Sequence, residues 1–568
     1  MSDASRAWMD DVLAPVRRRL GEVVAYSLLV NLLAIAIPVF VLQVYDRVVF
    51  HAGISTLQGL LIGVVVALAF DFLLRQGRAR LLRGAAVEID VTLGRGLYAR
   101  LTAAPLPVLE GRPAAWWQAL FRDADTVRNT FSGLSAVLVA DLPFALLFGV
   151  VIAVVAWPVA WVYLVVFPLF ILLAWYSGRV MQAAGEIERR AAYDRDAIVA
   201  ELIGGRTTVK ALALGAPLSG LWEQRHAASV EESVRRGTDS DRFVHVGLLL
   251  TMLTTVATTT VGALAILDQQ MTIGALVAAN MLGGRIVQPF QQLLGNWRTY
   301  AAARQAMQRL GELFGQPPEP DRGAVAPGRA GGTIWLDGVG FAYGPDRPPA
   351  VRDARLKVGH GLHALIGPNG SGKTTLLKLM QGLYRPQSGR VLLDEADIAQ
   401  YGRGDLARVI GYVPQFTFLF AGTIRENIAI ARPDATDAEI VAAGRLSGAH
   451  DIIAAMPDGY GSRVGEGGME LPGGLRQRIA IARALLGDPA VLLLDEPSGN
   501  LDQDATRTLA RNLQHLATQR TIIVVTHNPL LLEACENIVA MDGGRIVAAG
   551  AAADILARLA RAQREAGA

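Results

Sequence analysis

The chain has 568 residues, more than a single domain usually holds, so we expect at least two domains. Apolar residues make up 52% of the sequence and charged residues only 18%, against roughly 25% charged residues in a typical soluble protein, and this deficit indicates a membrane protein. The formal net charge of +3 gives no support for a nucleic-acid partner, and the single cysteine, Cys535, excludes an intrachain disulfide and a metal site built from several thiolates.

Six apolar stretches in the first half are long enough to cross a bilayer, which requires about 20 residues of helix. The first of them follows Arg17, Arg18 and Arg19, but it is too long for the apolar region of a cleaved signal peptide, and further spans follow it. We therefore predict a cytoplasmic N-terminal segment over 1–20 and an all-α, six-helix transmembrane domain over 21–314. The spans are predicted near 21–45, 54–74, 131–156, 158–178, 244–267 and 272–295.

Arginines concentrate in two long segments, one between the second and third spans and one between the fourth and fifth. Positively charged loops stay on the cytoplasmic side of a membrane, so these segments and both termini are predicted to be cytoplasmic. The remaining loops are short and are predicted to face outward. The sequence therefore predicts a multi-pass protein in the lipid bilayer with two cytoplasmic extensions, near Pro107 to Phe121 and near Ala200 to Leu214.

Two aspartates and a run of threonines lie in or near the predicted spans. Asp71 and Asp141 are candidate functional groups because an ionised side chain is costly at membrane depth. We favour the simpler interpretation that both lie near span ends and pair with arginines or helix N-termini. The threonines of the fifth span either bond their own helix, pack between helices or line a cavity. They are Thr251, Thr254, Thr255, Thr258, Thr259 and Thr260.

A change of pattern marks a second domain. The stretch over 315–333 is rich in proline and glycine and is predicted to be a linker. Beyond it, over 334–568, short apolar strands alternate with helices, which is typical of an α/β domain. Within this domain the strand Leu362 to Ile366 is followed by a glycine-rich loop and then a helix, the context that a phosphate-binding P-loop requires.

The predicted P-loop has the sequence G-x-x-x-x-G-K-T. Its glycines let backbone N–H groups approach phosphates, and the N-terminus of the following helix adds a favourable partial charge. Lys373 is predicted to reach the β- and γ-phosphates of a nucleotide, and the Thr374 hydroxyl is predicted to hold Mg²⁺. The predicted nucleotide-binding residues of this motif are Gly367, Pro368, Asn369, Gly370, Ser371, Gly372, Lys373, Thr374 and Thr375.

A second motif supplies two adjacent carboxylates. The apolar strand Val491 to Leu494 ends in Asp495 and Glu496. Asp495 is placed to hold Mg²⁺, directly or through water, and Glu496 is placed to polarise an attacking water as a general base. The sequence therefore predicts the hydrolysis of a nucleoside triphosphate.

Three shorter motifs accompany these two: Val413-Pro414-Gln415, Leu471-Pro472-Gly473-Gly474-Leu475 and Thr526-His527. The order of all five resembles the ABC ATPase family, over roughly 334–550. The resemblance implies an α/β P-loop NTPase domain of the ABC type that binds ATP and Mg²⁺.

The resemblance also assigns roles to single residues. Tyr343 is similar to the aromatic residue that stacks on adenine, Gln415 to the residue that senses Mg²⁺ and water, and His527 to the γ-phosphate switch histidine that assists catalysis. The family's signature motif binds the nucleotide held by the opposite subunit, and in this chain it includes Pro472, Gly473 and Gly474. The segments Gly499 to Asp502 and Ser462 to Gly468 resemble two further family loops, the first of which crosses the dimer.

Motifs in the membrane half narrow the resemblance. Val41 to Val48 at the end of the first span and Gly274 to Arg285 in the sixth resemble type I secretion ATPases, which export unfolded proteins from Gram-negative bacteria. The segment Ala200 to Leu212, which includes Thr207 to Leu212, resembles their second cytoplasmic coupling segment. The resemblance implies the type I ABC exporter fold in the bacterial inner membrane, a second exporter half, a periplasmic adaptor and an outer-membrane channel. Only the segment 1–20 precedes the first span, so we expect the short subgroup without an N-terminal peptidase-like domain. The resemblance to that subgroup implies the export of proteins that bear uncleaved C-terminal signals.

The signature departs from the family pattern, because the usual LSGGQ is LPGGL here. Pro472 supplies neither the serine hydroxyl that would reach the γ-phosphate nor a backbone N–H, and Leu475 removes a polar side chain. A hydrogen bond to a charged group contributes roughly 1.5–3 kcal/mol, so we expect the shared ATP site to be weakened on the order of ten- to a hundredfold. A homodimer would have two impaired sites and a heterodimer only one, and we favour the heterodimer.

Two other functions fit parts of the pattern. The same architecture serves exporters of lipids or small molecules, because the cargo is chosen by cavity residues that the sequence does not reveal. The altered signature alone would also fit a regulatory partner that binds ATP with little turnover. Intact Lys373, Glu496 and His527 argue against that second alternative.

Overall fold

The computed structural model of the chain describes residues 3–49, 53–132, 134–319 and 331–558. The chain divides into two compact units. The first unit takes in Met1–Thr102 and Arg112–Pro317, and the second takes in Ala103–Gly111 and Pro318–Ala568. Most of the predicted linker, 320–330, lies outside the described residues. A short segment of the first predicted cytoplasmic extension therefore belongs to the same unit as the C-terminal half of the chain.

The described part of the first unit is helical. Three of its helices have 49, 48 and 53 residues. At 1.5 Å per residue the longest measures about 80 Å, far more than the roughly 30 Å hydrocarbon core of a bilayer. Each of these helices is therefore long enough to cross a membrane and continue well beyond it. The helices up to residue 314 are α1 (Asp3–Leu33), α2 (Ala36–Gln43), a π-helix (Val44–Val49), α3 (Ile54–Thr102), α4 (Leu106–Glu110, in the second unit), α5 (Ala114–Ser132), α6 (Leu134–Asp141), α7 (Ala145–Val155), α8 (Trp157–Gly204), α9 (Arg206–Ala211), α10 (Gly215–Leu267) and α11 (Ile273–Phe314).

Four helical stretches among the described residues are long and apolar enough to span a membrane: Trp8–Val49, Ile54–Thr102, Trp157–Gly204 and Gly215–Leu267. They contain the first, second, fourth and fifth predicted spans. Helix α1, Asp3–Leu33, runs without a break from residue 3 into the first predicted span.

The third and sixth predicted spans differ from the other four. The third, near 131–156, is divided by a 3₁₀ turn at Leu142–Phe144, because Pro143 has no N–H to continue the α-helix. The part beyond the break, Leu142–Val155, is a shorter apolar helix. The sixth predicted span is the N-terminal part of α11, where Asn280 and Arg285 lower the hydropathy of the stretch.

Both aspartates of the predicted spans are paired with arginines. Asp71 accepts a hydrogen bond from Arg75 Nε at 2.7 Å, one turn further along α3. Arg78 is only 4% exposed and donates to Asp141 Oδ1 at 2.7 Å and to Ser27 Oγ at 2.9 Å. The interpretation of these aspartates as paired groups is confirmed. The Arg78–Asp141 pair joins α3 to the end of α6.

We predict that these two ion pairs differ strongly in their contribution to stability. Arg78→Leu removes an arginine whose side chain is only 5% exposed and which joins two helices, and breaking a buried ion pair costs about 3–5 kcal/mol. Arg75→Leu removes an arginine whose side chain is 43% exposed and which pairs within its own helix, and such a pair contributes about 0–1 kcal/mol. Thermal unfolding in lipid nanodiscs should show a much lower Tm for Arg78→Leu than for Arg75→Leu. The double variant Arg78→Leu, Asp141→Asn should recover part of the loss, and equal Tm values for the two single variants would contradict the prediction.

Several threonines of the fifth predicted span form hydrogen bonds within α10 or with neighbouring helices. Thr251 and Thr254 donate to carbonyls four residues earlier in α10, at 2.9 and 2.6 Å. Thr258 donates to the Tyr163 hydroxyl of α8 at 3.2 Å, and Gln291 of α11 donates to Thr251 Oγ1 at 2.7 Å. Bonding within the helix and packing between helices therefore account for Thr251, Thr254 and Thr258.

The described part of the second unit contains two β-sheets. One has four strands in the order β2-β1-β4-β5 and is antiparallel, and the other has six in the order β10-β9-β3-β8-β7-β6. In the six-stranded sheet, β9, β3, β8, β7 and β6 run parallel. The strands are β1 (Ile334–Phe341), β2 (Val351–Val358), β3 (Gly361–Ile366), β4 (Ser388–Leu393), β5 (Ala396–Asp397), β6 (Ile410–Val413), β7 (Val491–Asp495), β8 (Thr521–Val525), β9 (Asn537–Asp542) and β10 (Arg545–Ala551).

The parallel strands are covered on both faces. Every residue of β3, β7 and β8 is buried, as expected for the centre of a parallel sheet between helices. The carboxyl ends of these strands lie at one edge of the sheet, where open α/β sheets bind their ligands. The helices of the unit after residue 331 are α12 (Lys373–Met380), α13 (Arg403–Val409), α14 (Ile424–Ala429), α15 (Asp437–Leu446), α16 (His450–Ala454), α17 (Gly473–Leu486), α18 (Gln503–Ala517) and α19 (Pro529–Ala534).

Candidate functional site

A glycine-rich loop joins the carboxyl end of β3 to the start of α12. Gly367 and Gly372 have φ angles of 148° and 98°, in the left-handed region that favours glycine. A Cβ atom at Gly367 would lie 2.1 Å from the Met541 carbonyl oxygen, and one at Gly372 would lie 2.3 Å from that of Ala350. The loop is therefore held between two backbone segments and can have this shape only with glycine at both positions.

Lys373 closes the loop. Its Nζ donates to the carbonyl oxygens of Gly367 and Pro368, at 2.7 and 2.9 Å. Burial lowers the pKa of Lys373, while the carboxylates of Glu496 and Asp495 act against that shift. The lysine charge thus lies at the mouth of a loop of backbone N–H groups, an arrangement that binds phosphate.

Asp495 ends β7 beside this loop. Its side chain is 1% exposed, and neither carboxylate oxygen has a hydrogen-bond partner among the described residues. Burial raises the pKa of Asp495, and nearby Thr374 and Lys373 act in the opposite direction. A buried carboxylate without a partner is costly, and a divalent cation would remove that cost.

The residues at this point fit Mg²⁺. Carboxylate and hydroxyl oxygens, here from Asp495 and Thr374, are its preferred ligands, and Mg²⁺ is commonly held by one or two protein groups together with substrate phosphates. In the part of the chain that the structure describes there is no group of three or more His, Cys, Asp or Glu side chains suited to a metal. The fit is therefore to an ion that arrives with a nucleotide rather than to a closed protein site.

Glu496 follows directly after β7, with an unusual backbone. Its φ is 50°, in the left-handed region, and its N–H donates to the Val525 carbonyl at 2.9 Å. The side chain is 25% exposed, and Oε1 lies 3.6 Å from His527 Nε2. Burial raises the pKa of Glu496, as does Asp495, whereas His527 and Lys373 lower it. The carboxylate is suited to accept a proton from water.

Tyr343 lies beside the P-loop helix. Its hydroxyl is 2.9 Å from Thr375 Oγ1, and its ring packs edge-on against Phe341 and Tyr384 with centroids 5.1 and 5.4 Å apart. The residue is 44% exposed, so part of the ring faces solvent. Gln415 also faces solvent, on the segment after β6, and makes no hydrogen bond with the described residues.

The signature motif lies at the start of α17. Pro472 is the N-cap residue, with φ −56° and ψ 146°, and it is exposed. A Cβ at Gly474 would lie 2.7 Å from the Asn500 carbonyl oxygen, so the loop Gly499 to Asp502 approaches this motif closely. The close neighbours of Gly473 and Gly474 are thus in that loop, and no described contact joins them to the P-loop. The start of α17 still offers free backbone N–H groups to an anion.

Leu475 differs from the expectation. From the sequence, Leu475 was expected to remove a polar side chain from the signature. In the structure its side chain is only 4% exposed and packs in the core formed with Ile424, Ile428 and Ile479. The helical period explains the difference, because residue 475 lies on the inner face of α17. Leucine at this position therefore affects packing of the core. The change that alters contacts with a nucleotide is the proline at position 472.

Sequence reasoning missed Glu110. This residue ends α4, accepts a hydrogen bond from Lys378 Nζ at 3.0 Å and accepts another from the Tyr384 hydroxyl. No motif marks it, and its partners are more than 260 residues away in the sequence. The only signal was its position within the predicted cytoplasmic extension.

The fold and the site together define a class: an ATPase domain with a P-loop and an exposed signature helix, on one polypeptide with long membrane-spanning helices. Such a protein is a membrane transporter driven by ATP. Family models agree, since the ABC transporter model matches residues 351–499 and the ABC transporter transmembrane region model matches 20–290. The chain belongs to the ABC transporter family and is a multi-pass membrane protein with the type I exporter fold.

The relatives are bacterial secretion proteins. The chain is 33% identical over 553 residues to the cyclolysin secretion/processing ATP-binding protein CyaB of Bordetella pertussis, covering 97% of this chain and 78% of the relative. It is 30% identical to the exotoxin translocation ATP-binding protein PaxB of Pasteurella aerogenes, with 97% and 77% coverage. A solved structure of a bacterial Atm1-family ABC exporter with ATP bound shares the fold, with a TM-score of 0.83, 23% identity and 96% coverage of both chains. The chain is an ABC exporter whose ATPase domain is coupled to transport.

Proposed function

We propose that this exporter secretes polypeptides across the bacterial inner membrane as the ATPase of a type I secretion system. The observation that carries the proposal is the similarity of nearly the whole chain to bacterial secretion proteins. The two segments that resemble type I secretion ATPases also contact each other. Asp46, in the motif Val41 to Val48, accepts hydrogen bonds from Thr272 Oγ1 at 2.7 Å and from the Gly274 backbone N–H at 3.1 Å. A Cβ at Gly274 would lie 2.5 Å from Asp46 Oδ1, so only glycine allows this approach.

The relatives support the same cargo class, because their names describe the secretion or translocation of toxins and they match nearly the whole chain. As in type I secretion, the chain would work with a second exporter half, a periplasmic adaptor and an outer-membrane channel. Its N-terminus and ATPase domain would be cytoplasmic, in line with the arginine distribution. The domains would be a cytoplasmic segment over 1–20, a membrane domain over 21–314, a linker over 315–333 and an ATPase domain over 334–568.

The proposed mechanism begins with ATP binding in the P-loop. The nucleotide phosphates take the place of the loop carbonyls as partners of Lys373, and Tyr343 stacks on adenine. Mg²⁺ would be held by Thr374 and Asp495, with Gln415 as a sensor, and would neutralise phosphate charge. Two ATPase domains close over two nucleotides, each completed by the other subunit's signature. Glu496 accepts a proton from the attacking water, His527 contacts the γ-phosphate, and hydrolysis reopens the dimer.

We further propose that the physiological dimer is a heterodimer. Pro472 caps α17 without a hydroxyl or an N–H, so the site completed by this chain's signature lacks one contact to the γ-phosphate. The P-loop, Glu496 and His527 of this chain are intact and would form one competent site with an LSGGQ signature on a partner.

Stimulated ATP hydrolysis tests the cargo class. The protein, with any co-purifying homologue, is placed in nanodiscs and mixed with a polypeptide that carries a C-terminal secretion signal. We expect hydrolysis to rise with this polypeptide and not with the same polypeptide lacking the signal. Stimulation by a lipid or a small molecule in place of the polypeptide would instead identify an exporter of that class.

A further inference from the structure

Helix α4 belongs to the second unit, and its last residue contacts the core of that unit. Leu106, at the start of α4, packs against the apolar cluster around Leu376 and Met380 of α12. Glu110, at the end of α4, accepts hydrogen bonds from Lys378 and from the hydroxyl of Tyr384, a residue that is only 4% exposed. The helix is thus attached at one end by apolar packing and at the other by two hydrogen bonds.

Tyr384 in turn forms part of an aromatic cluster with Phe341 and Tyr343. The ring of Tyr384 packs edge-on against Tyr343 at 5.4 Å and against Phe341 at 5.0 Å, and Phe341 packs on Tyr343 at 5.1 Å. Edge-to-face pairs at these distances are favourable and fix ring orientation. The orientation of Tyr343 therefore depends on that of Tyr384.

A second series of contacts connects Glu110 to Tyr343. Lys378, its ion-pair partner, lies on α12 one turn beyond Thr375, whose hydroxyl is 2.9 Å from that of Tyr343. Lys378 Nζ also lies 5.5 Å from the centroid of the Tyr384 ring. Burial alone would raise the pKa of Glu110, but the bonds from Tyr384 and Lys378 outweigh it and lower the pKa, so the carboxylate is ionised at neutral pH.

We propose that Glu110 is a positioning residue for recognition of the nucleotide base: it holds Tyr384, and through Tyr384 and α12 it fixes the ring of Tyr343. The proposal rests on the proposed function, in which Tyr343 stacks on adenine. It makes base affinity, and not phosphate affinity, depend on α4. Loss of Glu110 would let the Tyr343 ring turn while the P-loop keeps its contacts.

Two ligands separate the contribution of the base to binding from that of the phosphates. ATP and inorganic tripolyphosphate are titrated calorimetrically, with Mg²⁺, into the full-length protein in nanodiscs, in a Glu496→Gln background so that ATP is not consumed. Glu110→Ala should weaken ATP binding about three- to tenfold and leave tripolyphosphate binding unchanged. Tyr384→Phe removes only the hydroxyl and leaves the Glu110–Lys378 pair, so it should weaken ATP binding by the same factor or less. The double variant should bind ATP no more weakly than Glu110→Ala alone.

Conservative and control variants sharpen the test. Glu110→Gln keeps an oxygen that can accept from Tyr384 and should restore most of the ATP affinity. Glu533→Gln, on the exposed part of α19, should change nothing. Equal weakening of both ligands by Glu110→Ala would overturn the proposal, as would an unchanged ATP affinity.

The proposed function can fail separately. If Tyr343→Ala left ATP binding unchanged, the proposed contact of Tyr343 with adenine would itself be rejected. If Tyr343→Ala weakened only ATP binding while Glu110→Ala left it intact, the adenine assignment would stand and only the role of Glu110 would fall.

Discussion

Glu496→Gln is expected to lower the rate of ATP hydrolysis by at least about a hundredfold, the usual contribution of a positioned general base. This residue follows the buried β7 with a left-handed φ of 50°, and its carboxylate lies 3.6 Å from His527. Glutamine has nearly the same shape and can still hydrogen-bond to water, but it cannot accept the proton. ATP affinity should therefore remain close to that of the unsubstituted protein, because the P-loop and Lys373 are unaffected.

The measurement is phosphate release in nanodiscs, with ATP binding followed in parallel. The matched control is Glu533→Gln, an exposed glutamate on α19 away from the site. Hydrolysis by Glu496→Gln at the same slow rate as the unsubstituted protein, in the complex with its partner, would favour a regulatory subunit that binds ATP without turning it over.

Pro472→Ser is expected to raise ATP hydrolysis by the purified chain alone about ten- to a hundredfold, corresponding to a restored hydrogen bond to a charged group of roughly 1.5–3 kcal/mol. In a dimer of two identical chains, both sites would regain the serine hydroxyl and the N–H that proline lacks. Serine is also a favoured N-cap residue, so the start of α17 should not be destabilised. Leu475 can stay unchanged, because its side chain lies in the core.

The control for this substitution is Pro158→Ser, at the start of α8 in the first unit, where the proline is also at a helix N-terminus. It should leave hydrolysis unchanged. Vigorous hydrolysis by the unsubstituted chain alone, with no gain from Pro472→Ser, would show that the LPGGL signature is tolerated and would make a homodimer the simpler account. Negligible hydrolysis that is rescued by a partner with an intact signature would support the heterodimer.

The parts of the fold that were predictable are those encoded locally. The P-loop joins a buried strand to a helix within a few residues, so its position follows from the order of apolar and glycine residues alone. The same holds for Asp495 and Glu496, which end a strand of continuous apolar residues. The break in the third span is also local, because it lies at Pro143.

What the sequence could not reveal depends on tertiary contacts. Hydropathy detects only the part of a helix inside the bilayer, so it missed that α10 continues unbroken from Gly215 to Leu267 through charged residues. The inward orientation of Leu475 depends on how α17 packs against its neighbours. The bonds of Glu110 to Lys378 and Tyr384 join distant parts of the chain, and no periodic pattern records such a contact.

The membership of Ala103–Gly111 in the second unit has a consequence for biosynthesis. Glu110 leaves the ribosome 274 residues before Tyr384, a delay of roughly 14–55 s at common rates of bacterial synthesis. During that interval α4 has been synthesised but the surface it packs against has not. The second unit therefore cannot complete its fold until translation is well past the last membrane helix. A fragment that starts at residue 331 lacks α4, so a nucleotide affinity measured on it would be that of an incomplete unit.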